Sequence, residues 1–135
     1  MTLLYNIDIY MIINLIFYVR NQTKSREFYA ITLGKAPRLD VPGMTEFELS
    51  EGCILGLMPE KGIKKLLPDL PDPETAWGVP RAEVYLTVPE PEIYHVRALA
   101  AGARELSPLQ PRDWGHKAAY CLDPDGHVLA FAVPL

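Results

Sequence analysis

Basic side chains are in short supply. Lysines and arginines number 13 against 17 aspartates and glutamates, which leaves a net charge of −4 and a pI near 5.3. With no basic cluster to neutralise phosphates, neither nucleic acid nor an anionic membrane surface is an expected partner. Cysteine is almost missing too. Cys53 and Cys121 stand without a disulfide framework or a secretory leader, which points to a reducing, cytoplasmic setting. Long apolar runs are absent. The stretch 7–19 has 13 residues interrupted by Asp8 and Asn14, short of the ~20 a membrane helix needs, and its β-branched and aromatic content reads as a buried strand. Hydrophobic residues at 49% and charged residues at 22% exclude intrinsic disorder, and 135 residues match one ordinary domain. What the chain does have in excess is proline, 13 residues or about twice the usual ~5%, which favours long ordered connections over a helical bundle.

Residues 14–19 alternate Asn14, Ile16, Tyr18 with Leu15, Phe17, Val19, a period of two that predicts a strand with two different faces. Asn21, Gln22 and Thr23 offer N-cap chemistry for a helix ending at Leu33, and Gly34 stands where a C′ residue takes positive φ. Three short apolar runs follow, 36–41, 45–49 and 53–58, separated by Pro42-Gly43 and Glu51-Gly52 as turns. Residues 60–80 carry four prolines and Lys61, Lys64 and Lys65. They read as a linker with one helical turn near 64–67. Then the order recurs: a strand over 82–88, a helix over 92–101 closed by Gly102, and strands over 104–109, 116–122 and 127–133. Val19 and Val88 stand 69 apart, Gly34 and Gly102 stand 68 apart, and Gly52 and Gly126 stand 74 apart. The expected fold is therefore α+β, two βαβββ modules (12–59 and 81–135) whose curved mixed sheets surround a cleft, with 1–11 as an extension outside the repeat. The alternating Leu4, Ile7 and Ile9 of that extension suit an extra edge strand or a partner contact.

Ser25-Arg26-Glu27-Phe28-Tyr29 with Leu33-Gly34, and Asp123-Pro124-Asp125-Gly126-His127 before the last strand, are the residues by which the chain resembles the vicinal oxygen chelate superfamily. That group includes glyoxalase I, bleomycin-resistance proteins and extradiol dioxygenases. The turn itself has a purely structural reading: Asp123 can accept from backbone N–H groups two residues on, Pro124 presets φ, and Gly126 tolerates positive φ. His127, just after it, is expected to tip toward solvent.

The resemblance implies four metal-ligand positions, on the first and last strand of each module. Aligned strand by strand they fall on Asn14, Gly56, Glu83 and Ala130. Glycine and alanine bring no donor, and one amide with one carboxylate is a poor set for a divalent transition metal. No metal and no other cofactor is expected. A replacement site built from His116 and Glu83 stays open as the alternative. The small residues at 56 and 130 are expected to open space on the shared face.

The expected ligand-binding residues are Glu83, Asn14, Tyr18, Met58, Tyr85, Trp114 and His116, no catalytic residue being singled out. Each has a plainer reading. Tyr18 and Tyr85 can simply fill the sheet, Trp77 and Trp114 can anchor loops, Met58 can be core filler, and Glu83 can be paired with Arg81, Arg112 or Lys117. Glu46 and Glu48 are expected to face solvent. The resemblance implies a homodimer binding a small aromatic or antibiotic-like molecule without metal, like bleomycin-resistance proteins. Two alternatives remain: a metal-dependent glyoxalase-like lyase or dioxygenase, and an interaction module whose pocket is filled by its own side chains.

Overall fold

The computed structural model describes residues 11–76 and 78–135; the expectations for the extension 1–11, apart from Met11, and for Trp77 fall outside them. The first module runs β1 (Ile13–Val19), α1 (Gln22–Leu33), β2 (Leu39–Val41), β3 (Met44–Ser50) and β4 (Cys53–Pro59). The second runs β5 (Glu83–Thr87), α3 (Pro91–Ala100), β6 (Arg104–Pro111), β7 (His116–Leu122) and β8 (Val128–Pro134), with α2 (Glu60–Leu66) and a 3₁₀ turn (Pro73–Ala76) between the modules. The sheets are ordered β1-β4-β3-β2 and β5-β8-β7-β6. In each, the module's first and last strands pair in parallel and the remaining pairs are antiparallel. This is the duplicated βαβββ architecture the repeat offsets predict. No helix among the described residues is long and apolar enough to cross a membrane.

Local chemistry sets the element ends. Asn21 caps α1 by accepting from the Lys24 N–H at 3.0 Å. Gly34 closes it at φ 69°, in the left-handed region that a Cβ disfavours. Pro91 opens α3 at its first position, where no N–H is needed. The linker differs from its sequence reading: α2 begins at Glu60, directly after β4, rather than near Lys64. Glu60 sits in its first turn and Lys64 and Lys65 in its last, the polarity that the helix dipole favours.

The alternation sorts the strands as read. Phe17, Val19, Leu55, Leu57, Val84, Leu129 and Phe131 are buried with Phe28, Tyr29 and Leu33 of α1 and Ala98 of α3 in one continuous core. One face of each sheet is thus covered by helix, and the other carries Asn14, Ile16 and Tyr18 in the first module and Glu83, Tyr85 and Thr87 in the second.

The two sequence motifs meet in space and clasp the modules together. Tyr29 Oη donates to Asp123 Oδ2 at 2.5 Å, Ser25 Oγ donates to Asp125 Oδ2 at 3.1 Å, and the Arg20 N–H donates to Asp125 Oδ1 at 2.9 Å. Asp123 Oδ1 also accepts from the N–H groups of Asp125 and His127. The turn is structural, as expected, but His127 is not turned to solvent. Its ring stacks on Phe17 with centroids 4.0 Å apart, and its Nδ1 lies 2.9 Å from Asp123 Oδ2, because that carboxylate needs a donor on its remaining side.

Candidate functional site

The helix-free face of the second sheet carries a connected polar layer. Trp114 Nε1 donates to Tyr85 Oη at 2.9 Å, and the same hydroxyl lies 2.7 Å from His116 Nδ1. An indole N–H can only donate, so the Tyr85 oxygen accepts from it, and the direction of its bond with His116 follows the imidazole tautomer. Strand register puts Tyr85 and Tyr120 on either side of Ala130. Arg112 lies over the Tyr120 ring at 5.2 Å and donates to the Ala118 carbonyl at 2.8 Å. Burial, then the Glu83 carboxylate and Tyr85, push the Tyr120 phenol above its ordinary value, with Arg112 opposing.

Three of the seven expected ligand-binding residues, Tyr85, Trp114 and His116, are therefore bonded to one another. Glu83 opens β5 on the same face, exposed and without an ion pair to Arg81, Arg112 or Lys117. The other three lie on the first sheet. Asn14 is exposed, and Tyr18 and Met58 are half-buried cross-strand partners. Tyr85 also lines a groove of about 310 Å³ between the modules, together with Leu33, Lys35, Cys53, Thr87 and Tyr94.

The four implied ligand positions do not form a metal centre. A Cβ at Gly56 would lie 3.1 Å from Ile16 Cγ1 and 3.2 Å from Met44 Sδ. The space expected there is already taken by those two side chains. Ala130 is fully buried between its two tyrosine neighbours. One amide and one carboxylate remain, on different sheets, and this donor set does not fit a divalent ion. Elsewhere among the described residues, Asp123, Asp125 and His127 bring potential ligand atoms within 4.8 Å of one another. Those atoms already face Tyr29, Ser25, Arg20 and each other in the clasp.

Some site residues escaped the sequence reading. Glu46 pairs with Gly56 across β3 and β4, so it shares the helix-free face rather than simply facing solvent. Its side chain is 17% exposed and ion-paired with Arg38 at 3.0 Å. Glu48, two residues on, is exposed as expected. Tyr120 and Arg112 were missed as well. Counting the period of two along β7 from its turn with β8 locates Tyr120; the irregularity between Glu48 and Ser50 hides Glu46, and nothing in the sequence announces the fold-back of Arg112.

The sequence model of the Glyoxalase/Bleomycin resistance protein/Dioxygenase superfamily matches residues 11–131. Among solved structures, the chain is similar to a glyoxalase-related enzyme from Fulvimarina pelagi at 20% identity, covering 92% of this chain and 88% of that one with a TM-score of 0.78. A glyoxalase/bleomycin resistance protein/dioxygenase family enzyme from Burkholderia phytofirmans matches at 17% identity, 90% and 97% coverage and a TM-score of 0.77. A glyoxalase/bleomycin resistance protein/dioxygenase from Nocardioides matches at 23% identity, 99% and 93% coverage and a TM-score of 0.67. Identities this low carry the fold alone. A search of curated proteins gives no match.

Proposed function

The chain belongs to the glyoxalase/bleomycin resistance protein/dioxygenase superfamily, and on that premise we propose that it binds a small aromatic, antibiotic-like molecule without a metal. The observation that carries this reading is the Trp114–Tyr85–His116 chain of hydrogen bonds on the helix-free face. It places one imidazole, that of His116, beside an indole that is 57% exposed, and a stacking surface with a few placed polar groups is what small-molecule sites need. Asn14, Tyr18, Met58 and Glu83 form the remainder of the proposed lining.

The proposal includes a homodimer. Ile12, just before β1, and Ile13, Leu15 and Ile16 within it are each more than a third exposed; among the described residues β1 is an edge strand, and a second copy laid on it would cover them. A second reading, an interaction module with a filled face, is favoured by the packing of Ile16 and Met44 over Gly56.

A thermal-shift screen of aromatic small molecules separates these readings, because selective binding raises the melting temperature by mass action. A hit from which Tyr85→Phe removes about five- to tenfold in affinity, the worth of roughly one hydrogen bond, supports the binder. No hit across the panel, or hits indifferent to Tyr85→Phe, favours the filled module. Sedimentation at micromolar concentration tests the dimer, and a monomer refutes it.

A further inference from the structure

Glu60 stands apart from every group described so far. It is 6% exposed, and its Oε1 is buried without a hydrogen-bond partner. It lines a cavity of about 330 Å³ between β1, residues 125–127 and the stretches 73–76 and 78–82. The walls there are mostly apolar, with Leu15, Phe17 and Val79 among them, and Tyr18, Arg81, Asp125 and His127 add polar atoms. Acidic groups outnumber basic ones among the charges that act on Glu60. Asp125, Glu74 and Asp72 act on it as like charges, and Arg20 is the countercharge, itself engaged with Asp125 at 3.4 Å. A buried carboxylate oxygen with no donor is costly to keep. Nothing in the clasp uses it, since Tyr29, Ser25 and His127 all face Asp123 or Asp125 instead.

We propose that this cavity is a second binding site, for a small organic cation: a primary ammonium on an apolar, aromatic-sized body, whose N–H donates to the Glu60 carboxylate. The volume lies at the small end of the ~300–1,000 Å³ typical of ligand pockets. The apolar walls suit a hydrocarbon body better than a hydrated metal ion, which needs several oxygen ligands. An ammonium has three donors and no acceptor, which matches a carboxylate left without a hydrogen-bond donor. Tyr18 is shared with the lining proposed above, but Glu60 and the walls from 73–76 and 78–82 are not, so the site goes beyond that function and does not depend on it. Burial, the largest cause, raises the Glu60 carboxyl from its ordinary value, so binding should strengthen as the pH rises through its ionisation.

The test uses the full chain and phenethylammonium, with 2-phenylethanol as the neutral analogue and manganese(II) alone as the metal probe. The ammonium is expected to shift amide resonances at Phe17, Tyr18, Glu60 and Gly126. The neutral alcohol should bind at least tenfold more weakly, and Tyr85→Phe should leave affinity unchanged. Glu60→Gln should weaken the ammonium at least tenfold while the ligand-free variant melts no lower than the parent, because a buried orphan charge has been removed. If Glu60→Gln lowers the melting temperature of the free protein, Glu60 is structural and the site is overturned. Equal binding of the alcohol, resonance shifts confined to Tyr85 and His116, or manganese broadening at Glu60 and Asp125 without ammonium binding each overturn it too.

Discussion

Replacing Tyr29 by phenylalanine deletes one oxygen at the clasp between the modules, where both partners are out of water. Tyr29 is 0% exposed, and so is the Asp123 side chain. The 2.5 Å separation is that of a charge-assisted O–H···O⁻ bond, and such bonds contribute about 1.5–3 kcal/mol. Asp123 would keep three donors, from the Asp125 and His127 N–H groups and His127 Nδ1, so the lower half of that range is expected, about 2 kcal/mol. For a domain of this size that corresponds to a fall of roughly 6–8 °C in melting temperature. The alkaline side gives a second readout. Burial first, then the Asp123 charge, raises the Tyr29 phenol well above its ordinary value. A group harder to ionise folded than unfolded adds stability that is complete below the unfolded value. That stability drains as the pH climbs toward the folded one. Tyr29→Phe should therefore flatten the loss of stability above pH ~10 while costing stability at pH 7. Calorimetry across pH 7–11 measures both. A variant that melts within ~2 °C of the parent at pH 7 would refute the claim that this bond helps join the modules.

Other consequences are open to direct measurement. Burial pushes the Cys121 thiol up to about 12, whereas Cys53 is half-exposed. A thiol reagent at pH 8 should find one reactive cysteine in the folded chain and two in denaturant; fast reaction of both in the native state would contradict this. Gly34→Ala forces a Cβ into φ 69° and to within 2.6 Å of an Arg97 guanidinium nitrogen. It should cost about 1 kcal/mol by chemical denaturation, and a neutral or stabilising change would count against the cap geometry. Gly56→Ala should be destabilising in the parent, and much less so in an Ile16→Ala background, where the side chain that fills the space is gone. Equal costs in both backgrounds would show that the face is open there.

Alternation made the layout legible. The residues between Asn14 and Val19, and between Glu83 and Thr87, divide by parity into two faces, and the structure buries Phe17, Val19 and Val84 as that division predicts but leaves Leu15 37% exposed. The capping glycines at 34 and 102 mark helix ends because positive φ is a local demand visible in local sequence. What stayed hidden depends on distance in the chain. Glu46 is separated from Gly56 by a hairpin whose register is altered by an irregularity between Glu48 and Ser50, so simple periodicity does not show the two together. Phe17 and His127 stack across 110 residues, and no short pattern encodes that contact. The helix at Glu60–Leu66 was displaced in the reading because the proline-rich composition of 60–80 as a whole masked its first turn. The Tyr85, Trp114 and His116 trio was named residue by residue, but only the fold shows that one phenolic oxygen joins all three.

Metal content tests the central claim most directly. Protein expressed with zinc, nickel and iron available, and purified without chelator, should carry well under a tenth of an equivalent of each, since Gly56 and Ala130 supply no donor and Asn14 and Glu83 stand on separate sheets. Converting Asn14→His, Gly56→Glu and Ala130→Glu together, with Ile16→Ala to make room, should be required before any of them binds stoichiometrically. One equivalent of zinc, nickel or iron on the unmodified chain, lost on Glu83→Gln, would contradict the metal-free account and restore metal-dependent chemistry to this face.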